Sequence, residues 1–119
     1  METVLVVDDD PSIVDLVTVA LEDEGYRVVS AAGAAALPLA RAAQPVVILL
    51  DLMMPGMDGG EVSAHLRADP TTAAIPIVVM SAQDRPGAMS VRLLIDDRLP
   101  KPFDLAHLYA TVARWAHTA

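Results

Sequence analysis

Short aliphatic runs alternate along this chain with segments of helical periodicity, and this alternation constrains the fold more than any other feature. The clearest runs are residues 4–7, 46–50 and 75–80, and weaker ones are residues 27–31 and 98–99. Runs that are apolar on both faces, and too short for a buried helix, are typical of central strands covered on both sides. Strands separated by helices pair in parallel through right-handed crossovers. The pattern predicts an α/β fold, a doubly wound (βα)5 sandwich with one parallel five-stranded sheet.

The helical segments show where the second layer of structure begins and ends. The first segment has Pro11 near its first turn and Gly25 at its end. Its apolar side chains share one face and are Ile13, Leu16, Val17, Ala20 and Leu21. Residues 33–43 are helical by composition, and Pro38 either kinks this helix or marks its first turn. Residues 52–60 are predicted to form a loop, because they contain two turn dipeptides, Pro-Gly and Asp-Gly.

Three further helical segments complete the pattern. A short helix follows the loop with Val62 and Leu66 turned inward, and residues 87–94 are weakly helical. The last helix places apolar residues on one side and has Asp104 as its N-cap; these residues are Leu105, Leu108, Val112 and Trp115. No linker or internal repeat divides the chain, so we expect a single domain over residues 1–119 with no output domain.

Charge and composition exclude several classes of function. The 8 Lys and Arg against 16 Asp and Glu give a formal net charge of −8, and the absence of Cys excludes disulfides, thiolate nucleophiles and Cys-ligated metals. Direct binding of nucleic acid is not expected, because so acidic a surface repels phosphate. There is no secretion signal and no apolar run long enough to cross a membrane, so a cytoplasmic location is the expectation. A core of aliphatic residues is expected, since aromatics make up only 3%.

Polar residues follow four of the predicted strands, at the point where each strand ends. Asp8, Asp9 and Asp10 follow the first strand, and the others follow the third, fourth and fifth; they are Asp51, Ser81 and Lys101. Because sites in open parallel sheets form outside the carboxyl ends of the strands, we expect these side chains to meet at one edge. Neighbouring carboxylates repel one another, and a few carboxylates with water suit Mg²⁺. A carboxylate nucleophile, a cation and hydrogen-bond donors are what phosphoryl transfer requires.

Four stretches in this order resemble the response-regulator receiver domain of two-component signalling. They are VVDDDP at residues 6–11, LLDLMMPGMDG at 49–59, MSA at 80–82 and KPF at 101–103. Each stretch alone is weakly specific, but the four together, at the correct strand ends, cover essentially the whole chain. The resemblance implies a flavodoxin-like, chemotaxis-receiver-like fold with strand order 2-1-3-4-5.

The resemblance also implies a role for each matching position. Asp51 would accept a phosphoryl group from a phosphohistidine on a sensor histidine kinase or a histidine phosphotransfer protein, and the phosphorylated domain would switch binding of a downstream protein. The implied Mg²⁺ ligands are Asp9 directly, Asp8 mostly through water, Asp51, and the backbone carbonyl of Met53. Lys101 and Ser81 would contact the phosphoryl oxygens, and the Lys101–Pro102 bond would be cis. Asp10 is interpreted as a solvated residue at a helix start.

Arg98 departs from the family pattern. The position three residues before Lys101 is usually aromatic, and its ring moves inward with the Ser/Thr side chain. A guanidinium cannot be buried there without a partner, and residues 81–101 also look slightly short. The alternative function is therefore a phosphorylation-independent module for protein interaction or homodimerisation.

Two other kinds of site fit the sequence less well. Phosphohydrolases of the haloacid dehalogenase type carry a second Asp two residues after the nucleophile, where this chain has Met53, which has no proton to give. The chain is therefore not expected to be an enzyme, apart from slow self-hydrolysis of the acyl phosphate. A dinucleotide site is disfavoured because the first turn is rich in Asp where Gly is needed. For Asp9 or Asp10 considered singly, helix capping is the simpler role.

Overall fold

Five strands form one parallel sheet, as the alternation of runs and helices predicts. The structure, a computed structural model, describes residues 2–51, 53–54, 57–81, 95–100 and 103–117. The strands are β1 Thr3–Val7, β2 Arg27–Ala31, β3 Val47–Asp51, β4 Ile77–Ser81 and β5 Asp97–Pro100. They lie in the order 2-1-3-4-5 with parallel pairing throughout. The fold class and the strand order are confirmed.

Helices cover both faces of this sheet. They are α1 Pro11–Asp23, α2 Ala36–Ala43, α3 Gly59–Ala68 and α4 Leu105–Ala116, and a 3₁₀ turn Gly33–Ala35 precedes α2. Pro38 lies in the first turn of α2, where it has no intrahelical N–H partner to lose, so it marks the start of this helix. The predicted weak helix at residues 87–94 lies outside the described residues.

Side chains at the helix ends explain where α1 and α4 begin. The Asp10 carboxylate accepts a hydrogen bond from the Ser12 N–H at 2.9 Å, and Pro11 occupies the first turn. The Asp104 carboxylate accepts from the His107 N–H at 2.7 Å, as the N-cap prediction requires. These contacts satisfy backbone donors that have no partner within the helix. After α1 the chain turns at Gly25, whose φ of 93° favours a residue without a Cβ.

The core consists of two aliphatic layers, one on each face of the sheet. On one face α1 and α4 pack against alternate strand residues through Val17, Leu21, Leu108 and Val112. On the other face α2 and α3 pack through a second set, which includes Ala36, Ala40, Val62 and Leu66. The predicted inward positions of Val62 and Leu66 are confirmed. The central strands β1 and β3 are buried from both sides, which explains why their sequences are continuously apolar.

Several predicted boundaries and faces were wrong. Leu16 and Leu105 keep 45% and 40% of their surface exposed, because each lies at the rim of the stripe that its helix turns toward the sheet. Residues 52–60 are not all loop: Met53–Met54 and Met57–Asp58 form an antiparallel hairpin, and α3 begins at Gly59. Local backbone pairing, which turn dipeptides do not exclude, accounts for this hairpin.

The strands β3 and β4 begin later than the apolar runs that predicted them, and β5 is longer than its predicted run. β3 begins at Val47 rather than Val46, and β4 begins at Ile77 because Pro76 has no N–H to donate. The Pro76 carbonyl still accepts a hydrogen bond from the Ile48 N–H at 2.9 Å. β5 extends beyond residues 98–99, since pairing with β4 includes both Asp97 and Pro100.

Truncation of the core should be far more costly than truncation at the rim. Leu49 is completely buried between the two helical layers, so Leu49→Ala is expected to lower the free energy of unfolding by about 3 kcal/mol. Leu105→Ala, which removes the same atoms from an exposed side chain, should change it by less than about 1 kcal/mol. Urea denaturation followed by circular dichroism measures both values, and equal losses would contradict this assignment of the core.

Candidate functional site

Two neighbouring strands bring acidic residues to the same edge of the sheet. Asp8 directly follows β1, and Asp51 is the last residue of β3. The two strands pair in register with Val7 opposite Leu50, so the residues that come next on each strand lie side by side. Strand topology therefore joins two carboxylates that are 43 residues apart in the sequence, from position 8 to position 51.

Three carboxylates converge at this edge. Asp8, Asp9 and Asp51 each offer an oxygen, and the three oxygens all lie within 4.8 Å of one another. Asp8 and Asp51 keep only 4% and 6% of their surface exposed, while Asp9 is exposed. The Asp10 N–H donates a hydrogen bond to Asp8 Oδ1 at 2.9 Å, which orients the Asp8 carboxylate. Asp10 itself caps α1, in agreement with its interpretation as a helix-start residue.

The electrostatics of this cluster favour a cation. Two like charges about 4 Å apart repel by about 4 kcal/mol at the effective dielectric of a protein surface, and this cluster contains three. Carboxylate oxygens are hard ligands of the kind that Mg²⁺ prefers, and ligands of one octahedral Mg²⁺ lie roughly 3–4 Å apart. The spacing and the donor chemistry of the three side chains therefore fit a magnesium ion that also retains water.

The remaining predicted site residues are placed only in part. Ser81 ends β4, where it pairs in register with Pro100 of β5, and its predecessor Met80 pairs with Asp51. Met53 is the first residue of the hairpin formed by Met53–Met54 and Met57–Asp58, and it pairs with Asp58. Lys101 and Pro102 lie outside the described residues. The roles of Ser81, Met53 and Lys101, and the cis peptide, stay predictions.

Arg98 lies in β5 opposite Val79. The residue is only partly buried. Its backbone N–H donates to the Asp97 carboxylate at 2.8 Å. The other oxygen of that carboxylate, Asp97 Oδ2, accepts a hydrogen bond from the indole Nε1 of Trp115 at 2.7 Å.

Sequence reasoning missed the partners of the acidic pair Asp96 and Asp97. Asp97 binds Trp115 on α4, and Asp96 forms an ion pair with Arg67 on α3. These partners are 18 and 29 residues away in the sequence. No local periodicity connects them, and only the acidic doublet itself was a visible signal.

Within the described part of the chain, no helix is both long and apolar enough to span a bilayer.

Comparisons with known proteins agree with the fold and the acidic edge. The family model described as the response regulator receiver domain matches residues 4–113. The DNA-binding dual master transcriptional regulator RpaA of Synechocystis is 42% identical over an alignment of 115 residues that covers 94% of this chain and 48% of that protein. The DNA-binding response regulator MtrA of Mycolicibacterium smegmatis is 40% identical over 93% of this chain and 49% of its own length. The chain thus spans about half the length of these curated relatives.

Solved structures show the same architecture. The receiver domain of the sensor histidine kinase PA1611 from Pseudomonas aeruginosa, with a magnesium ion coordinated in its active-site cleft, superimposes with a TM-score of 0.90 at 28% identity and covers 98% of both chains. The chemotaxis response regulator CheY4 of Vibrio cholerae has a TM-score of 0.88 at 33% identity, covering 96% of this chain and 98% of its own. The chain therefore belongs to the response regulator receiver domain family, whose members are signalling phosphoacceptors of two-component systems.

Proposed function

We propose that this chain is a phosphorylation switch in which Asp51 accepts a phosphoryl group from the phosphohistidine of a sensor histidine kinase or histidine phosphotransfer protein. The convergence of Asp8, Asp9 and Asp51 within 4.8 Å carries the proposal. Burying a carboxylate beside two other acids costs free energy, which favours a chemical role for Asp51. The proposal is tested by the mass of the protein after incubation with an acyl phosphate and Mg²⁺.

The chemistry assigned to Asp51 is nucleophilic. One carboxylate oxygen attacks phosphorus as the bond from phosphorus to the imidazole nitrogen of the donor breaks. The bonding electrons stay on that nitrogen, so an imidazolium already protonated on its other ring nitrogen leaves as neutral imidazole. Asp51 belongs to a rigid central strand, so its attacking oxygen is held in position before the donor arrives. The product is an acyl phosphate on a largely buried side chain.

Mg²⁺ would be held by Asp8, Asp9, Asp51 and the Met53 carbonyl. When bound, the ion supplies positive charge to the phosphoryl oxygens as they approach Asp51. Asp8 and Asp9 hold that charge beside the nucleophile, and Lys101 and Ser81 are proposed to donate to the remaining phosphoryl oxygens. Magnesium binding in the PA1611 receiver domain supports this assignment.

Sustained hydrolysis of phosphoesters is not proposed. Met53, two residues beyond Asp51, has no proton to donate to a leaving group. Slow hydrolysis of the acyl phosphate would return the domain to its starting state. The output is instead proposed to be altered binding of a downstream protein. A cytoplasmic location, where phosphohistidine donors and Mg²⁺ occur, belongs to the same proposal.

DNA binding is not proposed for the described residues, although RpaA and MtrA are both named as DNA-binding. The net charge of −8 opposes contact with phosphate. A receiver domain acting on DNA would do so through another segment or another chain. The assignment of residues 1–119 to a single receiver domain is likewise part of the proposal.

The exposed face of α1 is the surface we assign to the phosphodonor. Leu16, Val19 and Leu105 are the large apolar side chains that stay exposed among the described residues, and Val19 keeps 68% of its surface. Leu16 and Val19 are one helical turn apart on α1, which begins directly after the acidic residues. A donor seated on this face would reach the edge where Asp51 lies.

Removal of the Leu16 and Val19 side chains should slow phosphorylation by a protein donor but not by a small-molecule donor. The double variant Leu16→Ala, Val19→Ala is expected to slow phosphotransfer from a phosphorylated kinase or phosphotransfer domain by about tenfold, since two anchoring contacts are lost. Phosphorylation by acetyl phosphate, which needs no docking surface, should keep its rate. Quench-flow with labelled donor measures the first rate and intact mass the second. An equal loss with both donors would contradict the docking assignment.

Arg98 favours a second candidate function. Its position in β5 is usually aromatic in receiver domains, and the residue is only partly buried. A phosphorylation-independent interaction or homodimerisation module is therefore the alternative. Identical partner binding by the wild-type chain and Asp51→Ala would favour this alternative over the switch.

A further inference from the structure

We infer that Asp96 is a positioning residue, which sets the alignment of β5 on β4 and thereby the point from which the chain continues to Lys101. The inference rests on the proposed function, in which Lys101 contacts the phosphoryl group. Asp96 lies immediately before β5 begins, at the amino ends of the strands. The carboxylate cluster lies at their carboxyl ends. It is not one of the residues that the family motifs point to.

Asp96 and Ile77 are joined by a reciprocal pair of hydrogen bonds. The Asp96 N–H donates to the Ile77 carbonyl at 2.9 Å, and the Ile77 N–H donates to Asp96 Oδ2 at 2.8 Å. Both contacts lie just before the first paired residues of the two strands, Val78 and Asp97. Asp96 therefore fixes which residues of β4 and β5 face each other from the start of the ladder.

Arg67 holds the Asp96 carboxylate in place. Its Nη2 forms an ion pair with the same oxygen, Oδ2. Its Nη1 donates to the carbonyls of Ala73 and Ile75, each at 2.8 Å. One guanidinium thus ties the end of α3, the segment before β4 and the start of β5 together. The carboxylate is held from two sides, so its position relative to Ile77 is well defined.

β5 needs such a contact more than the other strands. Among the described strands, it is an edge strand of four residues that pairs with β4 alone, and its last residue, Pro100, has no N–H to donate. Leu99 is its one fully buried side chain. A slip of one residue would move the chain by about 3.3 Å and turn every side chain to the other face.

The consequence for the site follows from the order of residues along the chain. Pro100 pairs with Ser81 in the present register, and Lys101 is the next residue in the sequence. A displacement of about 1 Å in a catalytic group can cost a hundredfold in rate. The Asp96 contact at the amino end of β5 therefore sets the position of Pro100 at its carboxyl end, from which the chain continues to Lys101.

The test compares Asp96→Ala with the conservative Asp96→Asn in the full chain, using acetyl phosphate and Mg²⁺. Asp96→Ala is expected to slow phosphorylation about tenfold, while Mg²⁺ affinity stays unchanged because its ligands lie on other strands. Asp96→Asn retains an oxygen for Ile77 and Arg67 and should restore most of the rate. Asp69→Ala removes another acid that pairs with an arginine, Arg41 of α2, and serves as the control for loss of an ion pair.

A double variant separates positioning from loss of stability. If Asp96 acts through Lys101, Asp96→Ala combined with Lys101→Ala should be no slower than Lys101→Ala alone. A double variant that is about tenfold slower than Lys101→Ala would overturn the inference, and so would a wild-type rate of phosphorylation for Asp96→Ala.

Amide hydrogen exchange tests whether Asp96 fixes the alignment of β5 on β4, independently of the phosphorylation rate. In Asp96→Ala, the Ile77 and Leu99 amides should exchange about tenfold faster, with β1 and β3 unchanged. Unchanged protection of these amides would overturn the inference even if phosphorylation slowed. A wild-type chain that accepts no phosphoryl group would instead refute the proposed function, and the exchange comparison would still decide whether Asp96 holds the register.

Discussion

Incubation with acetyl phosphate and Mg²⁺ is expected to add one phosphoryl group to the wild-type chain and none to Asp51→Asn. Asp51 is the nucleophile in the proposed mechanism, and an amide at this position has no carboxylate oxygen to attack phosphorus. The substitution is nearly isosteric and removes one of three clustered charges, so the variant should fold. Intact-mass spectrometry over a time course measures the modified fraction directly.

Asp10→Asn is the matched control for this experiment. Asp10 adjoins the cluster in sequence but caps α1, and Asn is an equally good N-cap. The control should therefore be phosphorylated at the wild-type rate. A phosphoryl group that persists in Asp51→Asn, or a wild-type chain that stays unmodified, would refute the assignment of Asp51.

Magnesium should raise the melting temperature of the wild-type chain, because an ion that binds only the folded state stabilises it. At a concentration 100 times its Kd the gain is about 2.7 kcal/mol, or roughly 10 °C for a domain of this size. Asp9→Ala removes the proposed direct ligand and should lose most of this rise. Without the ion, the same variant should melt higher than the wild type, since one source of repulsion between clustered carboxylates is gone.

Asp15→Ala controls for the general effect of removing an acid from this highly charged chain. Asp15 is exposed on α1 and does not belong to the three-carboxylate cluster. Its variant should keep the full magnesium response in differential scanning fluorimetry. A rise in Asp9→Ala as large as that of the wild type would show that the ion binds elsewhere.

Local patterns predicted much of the fold because their causes are local. The continuous apolar runs of β1 and β3 reflect burial on both faces, and the caps at Asp10 and Asp104 depend on side chains that reach only two or three residues along the chain. The predicted meeting of Asp8, Asp9 and Asp51 also followed, since parallel strands end at one edge. By contrast, the exposure of Leu16 depends on how far α1 rotates toward the sheet, which periodicity resolves only to within a residue.

Contacts between distant segments account for what local patterns could not predict. The ion pair of Asp96 with Arg67 joins the residue before β5 to α3, across 29 residues of sequence. The Asp97 contact with Trp115 joins β5 to α4, a separation of 18 residues with no periodic signal.

By itself, the sequence determined the class of fold, the order of its elements and the acids that reach the carboxyl edge of the sheet. These properties depend on which residues are apolar and on where each run stops. The bridge from Asp96 to Ile77 and Arg67, which aligns β4 with β5, is visible only in the folded chain. That bridge depends on the packing of three elements at once, because the free energy of a hydrogen bond between distant residues is realised only when the chain has folded.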